Sequence, residues 1–349
     1  FLSLSPVAGA IAAGNRVMLK PSEWTPKTSA LLAELASEAF EPDEFAVFEG
    51  GIETGRAFAE LPFDHLLFTG STRVAKEVSN SAAKNLTPLT LELGGKSPAL
   101  VCPGANLKRA AERIVFGKLA NAGQICIAPD YVFVERAKFH DFIEMLQTYI
   151  KKAYPRLNNN PDYTSIISAD HFSRLNRMIE EAREDGAEII SINPDGETLE
   201  SSARKIPPTL ILRPNPTLSV MHEEIFGPIL PVLSYEKIEE AIEFIQHRAR
   251  PLALYLFTEK ARERERILRE TVSGGVAVNE VLFHCVCGTL PFGGVGASGM
   301  GSYHGQAGFD TFSHLKPVFI QPRFNFNFFL VPPITPMKRL FAKIFRKLV

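Results

Sequence analysis

Two short stretches carry residue types that could perform covalent chemistry. In Gly123-Gln124-Ile125-Cys126-Ile127-Ala128-Pro129-Asp130-Tyr131, a single cysteine stands among small and apolar residues. In Leu91-Glu92-Leu93-Gly94-Gly95-Lys96-Ser97-Pro98, one carboxylate sits in an apolar run just before a glycine pair, and glycines let other groups approach closely. A thiol with a partly buried carboxylate is what a covalent route with a water-activating base requires. Neither stretch proves it alone, because most free cysteines are small core hydrophobes and most strand carboxylates are solvated or paired.

The elements that must position these groups follow from periodicity. A helix beginning near Asn106 is expected to end at Ala122 and Gly123, leaving Cys126 at a helix-to-loop break. Thr87–Leu93 reads as a strand that carries Glu92 near its end. Upstream, residues 2–13 read as a helix, Arg16–Lys20 as a strand, and Thr25 as the cap of a helix with Pro26 in its first turn. Phe45–Phe48 and His65–Phe68 read as strands, and Ile52–Ala59 and Ser71–Ala83 as helices. Past Ser97 the alternation resumes. Strands are expected at Pro98–Cys102, Tyr131–Val134, Glu188–Ser191, Leu210–Leu212, Leu230–Leu233, Ala253–Phe257 and Gly275–Asn279. Helices are expected at Ala137–Lys152, His171–Glu184, Ile238–Gln246 and Glu259–Glu270. Strands alternating with helices predict an α/β protein with two doubly wound, Rossmann-like parallel-sheet domains, whose ligands sit beyond the carboxyl ends of the strands.

The 349 residues suffice for two substantial cores. With 38 basic and 39 acidic residues, the net charge of −1 gives no pull toward nucleic acid. Four cysteines in a chain this long make no disulfide framework and suit a reducing compartment, so the expected location is cytoplasmic. No apolar run reaches the roughly 18 residues of a spanning helix.

The two stretches resemble the glutamate and cysteine signatures of the aldehyde dehydrogenase superfamily. Four further motifs follow in the family's order: Leu19-Lys20-Pro21-Ser22-Glu23, Phe68-Thr69-Gly70-Ser71-Thr72, Glu223-Glu224-Ile225-Phe226-Gly227-Pro228 and Pro291-Phe292-Gly293-Gly294-Val295-Gly296. The ending Ser298-Gly299-Met300-Gly301-Ser302-Tyr303-His304-Gly305 resembles the class 3 and coniferyl-aldehyde branch. The resemblance implies an NAD(P)-binding domain over residues 1–93, a catalytic domain over 94–310, an intersubunit strand over 311–320 and a C-terminal tail over 321–349. It implies a homodimer, and a chain whose N-terminal part is missing, because family sequences extend further upstream.

By the same resemblance, Cys126 is the nucleophile and Glu92 the base for an aldehyde substrate. Lys20 and Glu23 hold the adenosine ribose of NAD, with NADP as the second option. A carboxylate at Glu23 accepts hydrogen bonds from the 2′-OH and repels a 2′-phosphate. Gly70 and Ser71, at a helix N-terminus, suit the pyrophosphate. Val74 lies against the adenine, Leu93 belongs to the cofactor set, Glu224 bonds the nicotinamide ribose and Phe226 packs near its ring. Where the family usually has a glycine, this sequence has Ala75, which can still pack a helix closely on a strand. Lys96 orders the active-site backbone or shares a proton network. One oxyanion donor would be the Cys126 N–H; the other, an asparagine, belongs to a motif upstream of Phe1.

Other readings stay open. The same thiol and base could serve as a thiol esterase, or the chain could be an inactive truncated piece. His284 reads as structural or substrate-lining. Cys285-x-Cys287 lacks a second ligand pair, so no metal is expected. The glycines at 293 and 294 suggest a mobile loop at the substrate mouth. In the tail, Thr335 can cap a helix with Pro336 at its first position. Met337, Leu340, Phe341, Ile344, Phe345 and Leu348 then share one face, and Lys338, Arg339, Lys343, Arg346 and Lys347 cover the rest. Such a basic amphipathic helix either docks on the protein or attaches peripherally to anionic membrane. The hydrophobic C-terminal anchor of class 3 fatty-aldehyde enzymes is partly similar.

Overall fold

The computed structural model describes residues 2–329 and 331–346. Two compact units divide the chain, residues 1–313 and 314–349. In chain order the elements are α1 (Leu4–Ala12), β1 (Val17–Leu19), α2 (Pro26–Ala39), β2 (Phe45–Val47), α3 (Ile52–Ala59), β3 (Leu66–Gly70), α4 (Thr72–Ala83) and β4 (Leu89–Leu93). Then follow β5 (Pro98–Val101), α5 (Leu107–Leu119), β6 (Tyr131–Glu135), α6 (Phe139–Ala153), α7 (Ala169–Glu184), β7 (Glu188–Ser191), β8 (Thr209–Leu212), α8 (Ser219–His222) and β9 (Ile229–Tyr235). The chain continues through α9 (Ile238–Gln246), β10 (Ala253–Phe257), α10 (Ala261–Glu270), β11 (Gly275–Val278), β12 (Gly299–Met300), α11 (Gly305–Thr311) and α12 (Pro336–Phe345).

Strands β11-β10-β5-β6-β9-β8-β7 form one sheet, parallel except for the β7–β8 pair. Its central strands are buried on both faces, which is why they read as continuous apolar runs. Along β5, Ala99 and Val101 join the core against α5 and α6, while Leu100 packs into the core against α7, α9 and α10. Along β6, Val132 and Val134 take the first side, and Tyr131 and Phe133 the second. Each large side chain buried this way contributes about 1.5–3 kcal/mol. The N-terminal region is smaller. β1 pairs in parallel with β2, and β3 with β4, while β12 adds antiparallel to the other edge of β4.

The four residues Gly94–Ser97 join the carboxyl end of β4 to the amino end of β5. Because β6 lies beside β5 in parallel, with Pro98 opposite Tyr131, the loop that enters β6 opens on the same side as that link. The end of β4 and the loop before β6 are therefore neighbours. The expectation that ligands sit beyond carboxyl ends applies to β3 and β4. It does not apply to Cys126, which lies at the amino end of β6.

Three local expectations need correction. Thr25 precedes α2 but makes no side-chain cap bond; its hydroxyl instead donates to the Ser22 carbonyl at 3.4 Å. α5 ends at Leu119 rather than at Ala122–Gly123, and a 3-10 turn over Ala120–Gly123 follows with Asn121 and Ala122 at φ +50°. Residues 311–320, expected as a strand, carry none: Thr311 closes α11, and 314–320 have no regular element. An intersubunit strand takes its ladder from another copy, so a single chain offers it no edge to pair with.

Candidate active site

The Cys126 loop is held open at a defined shape. Gly123 adopts φ +76°, and a Cβ there would stand 2.3 Å from the Gly227 carbonyl oxygen, so only glycine fits. The Gln124 amide donates to the Asn121 and Ser165 carbonyls at 3.1 Å, and its carbonyl accepts from Ile167 N–H at 2.9 Å. The Tyr255 hydroxyl donates to the Ile127 carbonyl from below. Cys126 itself is half-buried. Burial, reinforced by the negative charges of Glu92 and Glu224, pushes its thiol up to about 12. The resting thiol is therefore protonated and needs a proton acceptor to attack.

Glu92 is the carboxylate that the sequence offers as the water-activating base. It is 1% exposed, and neither carboxylate oxygen has a hydrogen-bond partner. Burial pushes it up to about 8, within the range of a general base working near neutral pH. Glu224 stands across the glycine link. A Cβ on Gly94 would fall 2.0 Å from the Glu224 carboxylate, so the link must be bare for the two to meet. Burial, followed by the Asp130 charge, pushes Glu224 up to about 8, opposed by the Gly95 N–H that it accepts.

A brace that composition did not advertise holds the Glu224 turn. Lys96 pairs with Asp130 and also donates to the carbonyls of Val220 at 2.8 Å and Glu223 at 2.9 Å. Asp130 accepts from Ile225 N–H at 2.9 Å. Arg174 donates to the carbonyls of Glu224 at 3.0 Å and Ile225 at 2.6 Å. Phe226 is thereby held at φ +49°, an uncommon conformation for an aromatic residue. Asp130 and Arg174 escaped sequence reasoning because their partners lie 95 and about 50 positions away along the chain.

The cofactor candidates line the smaller sheets. Lys20 Nζ donates to Glu23 at 3.3 Å and to the Pro21 carbonyl at 2.8 Å. Beside them, a cavity of about 170 Å³ is lined by Pro21, Ser22, Glu23, Pro26, Glu49 and Gly50. Gly70 ends β3, and Ser71 caps α4 by accepting from Val74 N–H at 3.4 Å. Val74 is half-buried, Ala75 is 2% exposed, and Leu93 is buried with its N–H on the Ser298 carbonyl at 3.1 Å. The donor set suits a dinucleotide: a carboxylate and an ammonium at a strand tip, and a helix N-terminus for phosphate.

Other singled-out residues take quieter positions. Asn279 clips Thr258 through its N–H at 3.0 Å and its carbonyl at 2.9 Å. The His284 ring is buried with neither nitrogen paired, 6.0 Å from the rings of Tyr255 and Phe292, and burial holds it below the usual imidazole range. Gly293 and Gly294 lie against the backbone of Gly301 and Ser298, closer than any Cβ would allow, so close packing accounts for them. Among the described residues, no three His, Cys, Asp or Glu side chains gather in a metal-ligating group.

A profile of the aldehyde dehydrogenase family matches residues 1–318. This chain belongs to the aldehyde dehydrogenase family. Among curated relatives, a probable coniferyl aldehyde dehydrogenase of Caulobacter vibrioides is 51% identical over 92% of this chain and 66% of its own length. Aldehyde dehydrogenase family 3 member A2 of Rattus norvegicus is 43% identical over 99% of this chain and 70% of its own length. A solved Staphylococcus aureus AldH in a substrate-bound state superposes with a TM-score of 0.90 at 42% identity, covering 99% of this chain and 74% of that one. A Mycobacterium tuberculosis aldehyde dehydrogenase complexed with NAD+ gives 0.84 at 29% identity, covering 93% of this chain and 68% of that one. This aldehyde dehydrogenase chain thus spans about two thirds to three quarters of the length of these relatives.

One buried charge in this aldehyde dehydrogenase was missed entirely. Lys118, in the last turn of α5, is 2% exposed, and its Nζ has no hydrogen-bond partner. Helical spacing from Ala111 and Ile114 puts it on the buried face of α5, although its charge suggests a surface position. Burial pulls it down to about 8, although Asp130 and Glu224 partly support its charge. The penalty is full below pH 8 and disappears above the ordinary lysine value of 10.5. Lys118→Met should therefore stabilise the fold by about 2 kcal/mol at pH 7, read from denaturant unfolding. Lower stability in the variant would show that the ammonium is well paired.

Proposed function

We propose that this protein oxidises an aldehyde to its carboxylic acid with NAD, NADP being the second option. The observation that carries the proposal is the buried, unpaired Glu92 carboxylate near the end of β4, close enough for its charge to act on Cys126. Lys20 and Glu23 would hold the adenosine ribose, the α4 N-terminus with Gly70 and Ser71 the pyrophosphate, and Glu224 the nicotinamide ribose, with Val74, Leu93 and Phe226 packing alongside. When bound, NAD supplies the acceptor for the hydride that leaves the substrate carbon. The NAD+-complexed relative supports this cofactor class. Glu23 favours NAD, because its carboxylate accepts from a 2′-OH.

The residues of the chain do the rest. The Cys126 sulfur, once deprotonated, bonds the aldehyde carbon and forms a thiohemiacetal, with its oxygen directed at the Cys126 N–H. After hydride loss the carbon is a thioester. Glu92 takes one proton from water, the resulting hydroxide bonds the acyl carbon, the carbon–sulfur bond breaks, and the acid leaves a thiolate behind. Medium-chain aliphatic or aromatic aldehydes are the proposed substrates, and the coniferyl aldehyde dehydrogenases among the relatives support the aromatic class. The purified protein should generate reduced nicotinamide only when both aldehyde and cofactor are present. Ester cleavage without any reduced cofactor would favour a thiol esterase instead.

A homodimer is part of the proposal. Leu315, Val318, Phe319 and Ile320 are 72–91% exposed on an unpaired segment, which suits strand addition to a second copy. Sedimentation at monomer mass would overturn it. So is peripheral attachment to anionic membrane through the C-terminal unit. No described helix is long and apolar enough to cross a bilayer. In α12, Thr335 accepts from Lys338 N–H at 3.4 Å. Met337, Leu340, Ile344 and Phe345 are exposed while Phe341 stacks on Phe329 at 4.1 Å; Lys347 and Leu348 lie outside the described residues. Each basic residue near an anionic surface contributes about 1 kcal/mol. The protein should co-sediment with anionic liposomes at low salt, lose that binding at high salt, and lose it when residues 335–349 are removed. A supernatant protein at low salt would leave α12 as a packing element.

A further inference from the structure

Tyr303 is the buried polar group for which the proposed chemistry has no use so far. It is 1% exposed, and its hydroxyl has no hydrogen-bond partner. A buried hydroxyl left unpaired is destabilising, so its place in the core calls for a reason. The ring cannot turn away. Its backbone N–H and C=O exchange 2.8 Å bonds with Phe292, and its ring is wedged 6.0 Å from Phe292 and 4.4 Å from His304.

Tyr303 follows shortly after β12 in the chain. β12 pairs Gly299 with Glu92 and Met300 with Leu91, so the same short ladder anchors Glu92 and delivers Tyr303 a few residues later. Burial first, and then the charges of Glu92, Cys126 and Cys285, hold the Tyr303 hydroxyl protonated. Tyr303 also belongs to the buried cluster against which Ile125, Cys126 and Cys285 pack, so this region brings together a carboxylate with two unpaired oxygens, an unpaired phenol and the candidate nucleophile. Glu92 and Tyr303 do not bond each other. A small molecule with two hydrogens to give would satisfy both.

We infer that Tyr303 is a positioning residue for the hydrolytic water: Glu92 takes one of its hydrogens and the Tyr303 hydroxyl accepts the other. With both hydrogens engaged, the water turns a lone pair to the thioester carbon. As the bond to carbon forms, the proton on that side passes to Glu92, the carbon–sulfur bond breaks, and the Cys126 thiolate is released. Tyr303 neither gains nor loses a proton. The inference rests on the reading of Glu92 as the base for thioester hydrolysis.

The test compares wild type, Tyr303→Phe and Glu92→Gln in the intact protein. Each is mixed with aldehyde and NAD, and the burst and steady-state phases of reduced nicotinamide are recorded. Hydroxylamine is then added, so that water and a stronger nucleophile compete for the thioester. Tyr303→Phe should leave the burst nearly unchanged, slow the steady state about ten- to a hundredfold, and raise the fraction of acyl group diverted to hydroxamate. Its unfolding midpoint should not fall, since Phe keeps the ring and removes an unpaired hydroxyl. If Glu92→Gln raises hydroxamate diversion and Tyr303→Phe does not, the Tyr303 inference is wrong and Glu92 stands. If Glu92→Gln leaves the diversion unchanged, the reading of Glu92 fails, and the inference fails with it. Equal loss of both phases in Tyr303→Phe with an unchanged diversion would mark the hydroxyl as structural and overturn the inference.

Discussion

Glu92→Gln is expected to separate the two halves of the reaction. The amide keeps the shape of the carboxylate but cannot take a proton from water. A burst of reduced nicotinamide should therefore persist, followed by a steady state slowed on the order of a hundredfold or more. Equal loss in both phases would remove Glu92 from a specific role in thioester hydrolysis. The wild-type protein adds a pH signature. With Glu92 at about 8, the ionised base is scarce at pH 6 and abundant at pH 9, so steady-state turnover should climb through pH 8 and then level. The variant should lose that climb.

The same substitution should also act on stability, in a pH window that its charge defines. The folded protein holds the Glu92 proton up to about pH 8, whereas an unfolded chain releases it near 4.5. Between those values the folded state binds more protons, so the stability contributed by the neutral carboxyl is full below 4.5 and declines as pH rises through 8. Glu92→Gln removes that decline. Its unfolding free energy should exceed that of wild type by an amount that grows from pH 5 to pH 8, reaching on the order of a few kcal/mol. A constant difference across that range would show that Glu92 ionises freely in the fold.

Cys126→Ala should abolish aldehyde-dependent reduction of NAD, by on the order of a thousandfold or more, because the proposed covalent route bonds the aldehyde carbon through this thiol. NAD affinity, measured by fluorescence titration, should stay close to wild type, since Lys20 and Glu23 lie in the turn after β1, and Gly70 and Ser71 at the junction of β3 and α4. Near-wild-type turnover in the variant would sink the assignment. Cys285 is the control. It is half-buried and close enough for its charge to act on Cys126, yet the reaction as proposed makes no use of it. Cys285→Ala should retain the burst.

Local features were legible because their causes are local. Apolar spacing and capping residues placed α3, α9 and the start of α12 at their observed bounds, and continuous apolar runs announced the buried parallel strands. The Cys126 and Glu92 stretches could be read because a thiol, a carboxylate and bare glycines each have few substitutes for their chemistry. What one residue does for another at a distance could not be read. The two residues of β12 carry no period, so the strand that pairs with β4 at Glu92 left no mark. Asp130 and Arg174 look like ordinary surface charges until the Glu224 turn packs on them, and Lys118 takes its charged neighbours, Asp130 and Glu224, from far along the chain. The sequence by itself determined which groups could react and which elements carry them. Tertiary structure decided that the carboxyl end of β4 meets the amino end of β6, because β6 pairs in parallel beside β5, to which the short Gly94–Ser97 link ties β4, and it decided which buried groups stay unpaired, because burial and pairing are properties of neighbours brought from far along the chain.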